Sequence, residues 1–337
     1  MPDLNALTAL ALPDGRCLMA DETTDRLSLG CDGQPLLSLR VNRVPALHVA
    51  IEQRCEHPDS EVLYLACYWL FARDSACQHL TWHLDELPTE ALLSGLLVTG
   101  EVSGQYRCER ALFWQLPRPW LSQASVNSYP QHPVISGGKR HPLRPLKPRG
   151  EVYRRFDARL GAWISLRTVD IEHDLARFNR WQNSARVASF WQEEGSLDQH
   201  REYLAKLLAD PHTLTLIGCF DDQPFAYFEA YWAKEDRLAP FYQAGDYDRG
   251  IHMLVGEEQH RGPHKVASWL SALTHYLFLD DPRTQRVVAE PRADNAKMIG
   301  YMQGQRFHCE KEFDFPHKRA ALMVLGRERF FERCVLA

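Results

Sequence analysis

The stretch Gly250-Ile-His-Met-Leu-Val-Gly, continued by Glu257-Glu-Gln-His-Arg-Gly-Pro-His-Lys265, reads as a strand, a glycine-bearing loop and the start of a helix. Such a junction offers backbone N–H groups without an intrahelical partner and the positive end of a helix dipole. That is a ready site for a phosphate or pyrophosphate. Arg261, His264 and Lys265 add side-chain charge around Gly262 and Pro263. His252 alternates with Ile251 and Met253, so it lies on one face of the strand beside the loop. A histidine there is able to move a proton near neutral pH, although spacing alone reads as a buried, hydrogen-bonded side chain. Two histidine pairs, His79 with His83 and His260 with His264, sit four residues apart and could share a helix face. That spacing suits a metal, but no acidic ligand completes either pair.

The elements that must position these groups are best read in the second half. Residues 150–156 and 163–167 read as strands of a hairpin. Residues 173–182 read as a helix with Asp170 as its cap, and residues 196–208 as a helix with Ser196 and Gln199 in capping-box spacing. Strands follow at 213–220 and 225–232, around a turn at Asp221-Asp222-Gln223-Pro224. The strand at 250–255 leads to a helix over 265–279, a strand at 286–290, a helix over 295–302 and closing strands at 307–315 and 320–325. In the first half, residues 36–41 alternate like a strand and 84–97 have helical spacing. Residues 62–70 and 107–116 fit strand or helix equally.

Composition bounds the rest. The chain has 337 residues, 45% hydrophobic and 25% charged, ordinary for soluble globular protein and too rich in apolar residues for long disorder. The longest apolar run, residues 91–98, is too short for a bilayer, which takes roughly 20 residues. No basic leader or cleavage site marks a secretory signal at the N-terminus. A net charge of −5 implies no general affinity for polyanions, and nucleic acid is not expected. Nine cysteines, none in a CxxC pair, fit free thiols in a reducing cytoplasm. Between residues 117 and 148 stand seven prolines and Gly137-Gly138, which exclude a long helix or a central strand. The expected organisation is an N-terminal α/β domain (1–116), a Pro-rich basic linker (117–149) and a C-terminal domain (150–337).

The order of elements in the second half resembles the GNAT N-acetyltransferase fold, whose corresponding loop holds the pyrophosphate of coenzyme A. Gln259 and Gly262 match that family's loop pattern, with His264 at its last small position. The segment is more specifically similar to the siderophore hydroxamate acyltransferases. The words that carry this are Gly150-Glu-Val-Tyr-Arg-Arg, Tyr227-Phe-Glu-Ala-Tyr-Trp, Arg249-Gly-Ile-His-Met-Leu-Val-Gly, Glu290-Pro-Arg-Ala-Asp-Asn and Glu312-Phe-Asp-Phe-Pro-His-Lys-Arg. Within that group it is most similar to the hydroxylysine acetyltransferases of aerobactin biosynthesis. The fold expected is α/β with a mixed sheet. The first half reads, without repeated words to support it, as a degenerate copy of the same fold.

The resemblance implies acetyl-CoA as cosubstrate, a small N-hydroxylated amino acid as acceptor and no metal. Other siderophore-pathway enzymes would be its neighbours in metabolism. It implies His252 as the base, acting as a neutral imidazole, and Asp294 as the group orienting the acceptor, where a helix cap is the other reading. Met253, Leu254 and Val255 would lie along the thioester arm, with the oxyanion donor near Leu254 or Val255. The pyrophosphate would sit at Arg261, Gly262, Pro263, His264 and Lys265, and Asn295 would contact the pantetheine. Trp191, Glu229 and Tyr231 are acceptor-pocket candidates, Glu229 for an α-ammonium. Lys318 and Arg319 are candidates for the α-carboxylate or the CoA 3′-phosphate, where a charge pair at the entry of a strand is the other reading.

Overall fold

The chain uses one strand order twice. The computed structural model describes residues 9–43, 47–54, 60–84, 89–122, 131–332 and 336. They fall into two units, one of residues 1–119, 156–161 and 331–337, the other of 120–155 and 162–330.

In the first unit, β1 (Ala9–Ala11), β2 (Cys17–Glu22), β3 (Arg26–Cys31), β4 (Gln34–Asn42) and β5 (His48–Arg54) meander antiparallel. Helix α1 (Ser60–Arg73) crosses to β6 (His79–His83), which lies parallel to β5. Then come α2 (Thr89–Leu93), β7 (Val98–Thr99), β8 (Gln105–Glu109) and α3 (Arg110–Phe113). The sheet order is β1-β2-β3-β4-β5-β6-β8-β7.

The second unit begins with a hairpin, β9 (Pro133–Ser136) and β10 (Lys139–Pro142), inside the proline-rich stretch. Next are β11 (Glu151–Asp157) and β12 (Ala162–Thr168), then three helices, α4 (Ile171–Gln182), α5 (Ala185–Trp191) and α6 (Leu197–Ala209). β13 (Thr213–Phe220), β14 (Gln223–Trp232) and β15 (Arg249–Val255) are antiparallel neighbours. α7 (Pro263–Asp280) crosses to β16 (Arg286–Ala289), parallel to β15. α8 (Ala296–Gly304), β17 (His308–Phe315), β18 (Lys318–Gly326) and α9 (Arg327–Phe331) finish the unit. The order β11-β12-β13-β14-β15-β16-β18-β17 repeats the first sheet strand for strand. The difference is local: where α4–α6 join β12 to β13, a short turn closed by Thr23 N–H to Arg26 O (2.8 Å) joins β2 to β3.

Local chemistry explains the elements around the site. The Asp170 side chain accepts the Glu172 N–H (3.0 Å) and starts α4. Ser196 and Gln199 form the full capping box of α6. Asp221 and Asp222, at φ 46° and 61°, make the tight two-residue connection of β13 to β14. β13 is buried at every residue, so it reads as a continuous apolar run rather than an alternation. Leu175, Phe178 and Trp181 of α4 and Leu204 of α6 pack on Ile217, Tyr227 and Leu254, fixing these helices over one face of β13–β15.

Residues 62–70 prove helical, within α1, and 107–116 divide into strand and helix. Of 84–97 only Thr89–Leu93 is helix among the described residues. His79 and His83 lie on a strand, not a helix, about 13 Å apart along it. They cannot share a metal, and the His83 ring instead pairs with His48 (3.2 Å).

Candidate active site

β15 pairs with β14 along its whole length, from Ala226↔Val255 to Trp232↔Arg249. Its pairing with β16 stops at Gly250↔Val288. Beyond that point the two parallel strands part. The Gly256 N–H donates to Phe225 O (2.8 Å), which continues the same register. Residues 250, 252, 254 and 256 therefore turn their backbone groups toward β14, and 251, 253 and 255 turn theirs into the gap. The Met253 and Val255 N–H groups are donors there. The Leu254 amide is spent on β14 and is no donor to the gap.

His252 projects from the face covered by α4–α6. Its Nδ1 lies 2.8 Å from Glu229 Oε2, directly across the strand pair, and its Nε2 lies 2.6 Å from Glu290 Oε1. Both carboxylates are held in turn. Glu229 Oε1 accepts from Tyr203 (2.5 Å) and Tyr227 (2.9 Å), and Glu290 Oε2 accepts from Tyr231 (2.7 Å). Glycine is required at position 250, because a Cβ there would lie 2.0 Å from the Tyr231 ring. The Trp191 ring stands edge-on to His252, 6.3 Å between centroids. The imidazole side chain keeps 22% of its surface exposed, against 7% and 0% for Glu229 and Glu290, so it is the member of the network that a ligand can reach.

Burial alone would strip the proton from His252. The Glu290 charge and the bonds to both carboxylates outweigh that and push its pKa up to about 10. Burial raises Glu290, but the imidazolium overrides it and holds the carboxyl down at about 2. Glu229 is likewise lowered by His252 and the two phenols against its burial. The two carboxylates therefore favour the imidazolium over the neutral ring expected from sequence.

This fixes a pH signature. The unfolded chain loses the histidine proton near about 6.5, whereas the folded one keeps it to about 10. The stability from this proton is complete below about 6.5 and disappears as pH rises toward 10. We expect the Tm of wild type to fall over that window and that of His252→Gln to fall less. Parallel melting curves from pH 6.5 to 10 would show the network contributes nothing.

The remaining candidates fall in four places. Arg261, Gly262, Pro263, His264 and Lys265 form the approach to α7. Gly262 has φ 110° and no side chain caps the helix. Pro263 has no N–H and the Val266 N–H reaches Gly262 O, which leaves the amides of His264 and Lys265 without an intrahelical partner. Arg261 and His264 are exposed. Arg186 joins them: it donates to Gly256 O (2.9 Å), and Arg261 adds to the burial that lowers its pKa. Asn295 caps α8, accepting the Met298 N–H (3.2 Å). Asp294 is 66% exposed, gripped at two points by Arg292, and is not brought to His252. Arg319 is exposed and paired with Glu312 and Asp314. Glu229 and Tyr231 lie inside the network, positioning His252 and Glu290, with no free oxygen on Glu229 for an α-ammonium.

Sequence reasoning gave no role to Glu290, Tyr203 or Tyr227. Glu290 had a signal, an acid ending the strand after the crossover helix. Tyr203 had none, since only the packing of α6 brings it to Glu229.

In the first unit the hydrogen-bond pattern aligns β5 with β15 and β6 with β16. The Thr81 N–H donates to Leu47 O (3.0 Å) and the Val41 N–H to Asp25 O (2.7 Å), so 47, 49 and 51 face β6 as 249 and 251 face β16. Val49↔Trp82 and Ala50↔His83 then match Arg249↔Val287 and Gly250↔Val288. His252 corresponds to Glu52, which lies at the irregularity between Ser38↔Gln53 and Leu39↔Ile51 and pairs with Arg26 and Arg40. The first sheet has the strand order with an arginine-paired carboxylate in place of the histidine.

Residues 170–315 match the family model described as an acetyltransferase (GNAT) domain. The N(6)-hydroxylysine O-acetyltransferase of Escherichia coli is 45% identical over 225 residues, 66% of this chain and 70% of that one. The N(5)-hydroxyornithine:cis-anhydromevalonyl coenzyme A-N(5)-transacylase of Beauveria bassiana is 46% identical over 264 residues, 67% of this chain and 58% of that one. Among solved structures, an uncharacterized protein of Bacillus halodurans superposes with a TM-score of 0.53 at 29% identity, over 56% of this chain and 95% of that one.

Proposed function

The chain belongs to the GNAT family of acyltransferases, and from that premise we propose that it moves the acetyl group of acetyl-CoA onto the hydroxylated side-chain nitrogen of a diamino acid, N6-hydroxylysine first, giving a hydroxamate for an aerobactin-like siderophore. The observation that carries this reading is the gap between β15 and β16, with free amides along one wall and a charged histidine beside it. Bound there, acetyl-CoA would supply a thioester carbonyl open to attack. The Met253 or Val255 amide would take the developing oxyanion. Arg261 to Lys265 would hold the pyrophosphate, and the Asn295 amide nitrogen, not used in capping, would reach the pantetheine arm.

His252 enters as an imidazolium, so its first act is to give a proton to the departing sulfur. As a neutral ring it then takes the proton of the acceptor nitrogen. That order lets one residue serve as acid and base. Asp294, exposed and held by Arg292, would have to exchange that partner for the acceptor's N–O–H group. Acetyl-CoA supply and seven free cysteines among the described residues fit a reducing cytoplasm. Among the described residues no helix is long and apolar enough to cross a membrane.

The test is thiol release from acetyl-CoA with N6-hydroxylysine, N5-hydroxyornithine, lysine and ornithine, followed by iron(III) addition. Hydroxylysine is expected to react fastest and to give the coloured ferric hydroxamate that an O-acetyl product cannot form. Absence of acceptor-dependent thiol release would sink the reading. The cosubstrate assignment has its own check. Arg261→Glu reverses an exposed charge at the phosphate site, and a charge-assisted bond is worth roughly 1.5–3 kcal/mol. The Kd for CoA is expected to rise at least about tenfold in a binding titration, with Tm unchanged. An unaltered Kd puts the phosphates elsewhere.

A further inference from the structure

The two ends of β15 carry different chemistry. Its C-terminal end leads into the phosphate loop and α7, and its N-terminal end is reached through the connection from β14, residues 233–248. His252 stands between, about 10 Å along the strand from either end. At the N-terminal end two cations share one aromatic ring. The Arg237 guanidinium lies 5.5 Å from the Phe315 ring centroid and Lys318 Nζ lies 5.6 Å from the same centroid. The His317 ring stacks on Phe315 at 5.5 Å. Lys318 donates to the backbone oxygen of Glu290 (2.7 Å), whose carboxylate holds His252. Arg237 also favours ionisation of Tyr203, against the burial and the Glu229 charge that raise its pKa.

Nearby cations are neutralised: Arg292 by Asp294, Arg319 by Glu312, Arg286 by Asp248. Asp236 is committed to His212 and to the Leu238 N–H. Among the described residues no carboxylate side chain pairs with Arg237 or Lys318. Burial lowers the pKa of Lys318, and Arg237 and Arg292 lower it further against the charges of Glu290 and Asp236, which raise it. Two cations over one ring beside a reactive centre, neither of them in an ion pair, fit an anionic group of a ligand. Coenzyme A presents its phosphates at the other end of the strand, so the anion belongs to the acceptor.

We infer that Arg237 and Lys318 grip the α-carboxylate of the acceptor amino acid, placing its hydroxylated nitrogen at His252 across a side chain that lies along Trp191. This rests on the acyl-transfer reading above and adds to it the selection of an amino acid over a plain hydroxylamine. Arg319, paired on the exposed β17–β18 hairpin, takes no part.

The experiment compares N6-hydroxylysine with N-hydroxycadaverine, the same chain lacking the carboxylate, in wild type, Arg237→Ala, Arg237→Lys and Lys318→Gln. The last keeps a donor for Glu290 O while removing the charge. Wild type is expected to prefer hydroxylysine. Arg237→Ala should raise its KM about ten- to hundredfold, with kcat, the KM of acetyl-CoA and all parameters for N-hydroxycadaverine nearly unchanged. Lys318→Gln should show the same acceptor-selective loss, and Arg237→Lys should recover part of it. Equal losses on both acceptors, or none on either, overturn the carboxylate grip while leaving the acyl-transfer reading standing. If wild type acylates neither compound, the functional reading fails first and this proposal with it.

Discussion

N6-hydroxylysine is expected to be acetylated with a kcat/KM at least about a thousandfold above that of lysine. The free protein holds His252, the half-buried ring of the network, as an imidazolium with a pKa near 10. In that form the ring cannot deprotonate an incoming ammonium. A lysine amine, with a pKa of about 10.4, arrives almost wholly protonated and without a lone pair. An alkyl hydroxylamine is far less basic and arrives neutral. It also brings an O–H, and a site that hydrogen-bonds a substrate hydroxyl rejects the analogue lacking it by roughly 10⁴–10⁵. Initial rates over a range of both acceptors at pH 7.5 give the ratio. Comparable rates would remove the hydroxamate reading and leave a general amine acetyltransferase.

His252→Gln should lower kcat by about 10²–10⁴, the usual contribution of a positioned acid–base group, while CoA binding stays near that of wild type. Because the protonated ring is the starting form, log kcat in wild type should be level through neutral pH and fall only as pH approaches 10. Glu290→Gln takes away one of the two carboxylates that hold the proton, so the falling limb should move to lower pH. A unit-slope rise between pH 7 and 9 would show instead that the neutral imidazole reacts. Activity within a few-fold of wild type in His252→Gln would make this histidine structural.

Much of the second unit was legible because its signals are local. Asp170 and the Ser196–Gln199 pair start their helices by bonds that span two or three residues. The strand–loop–helix around His252 reads directly from Gly250 to Lys265. α1 did not, because nine of its residues are buried and a helix apolar all round shows no period. His79 and His83 were read on the wrong period: four apart joins neighbours on a helix and separates them on a strand. The network was half visible. His252 lies on a recognisable strand, but Glu290 reaches it only because β16 lies parallel beside β15, a pairing made across α7. Arg237 sits in a connection whose course no local pattern predicts.

The repeated strand order treats one point of its wiring in two ways. In the first sheet Glu52 meets the exposed Arg26 and Arg40 there, where water shares the work of solvation. In the second, α4–α6 lie over the face, and His252 sits between two carboxylates that keep 7% and 0% of their surface. Exchanging buried ion pairs for well-packed apolar side chains usually leaves stability unchanged or raises it by about 1–4 kcal/mol. A redesign of the second sheet for heat resistance alone would therefore replace Glu229, His252 and Glu290, take the three phenols to phenylalanine, and end inert. Thermal robustness and turnover pull on those three positions in opposite directions.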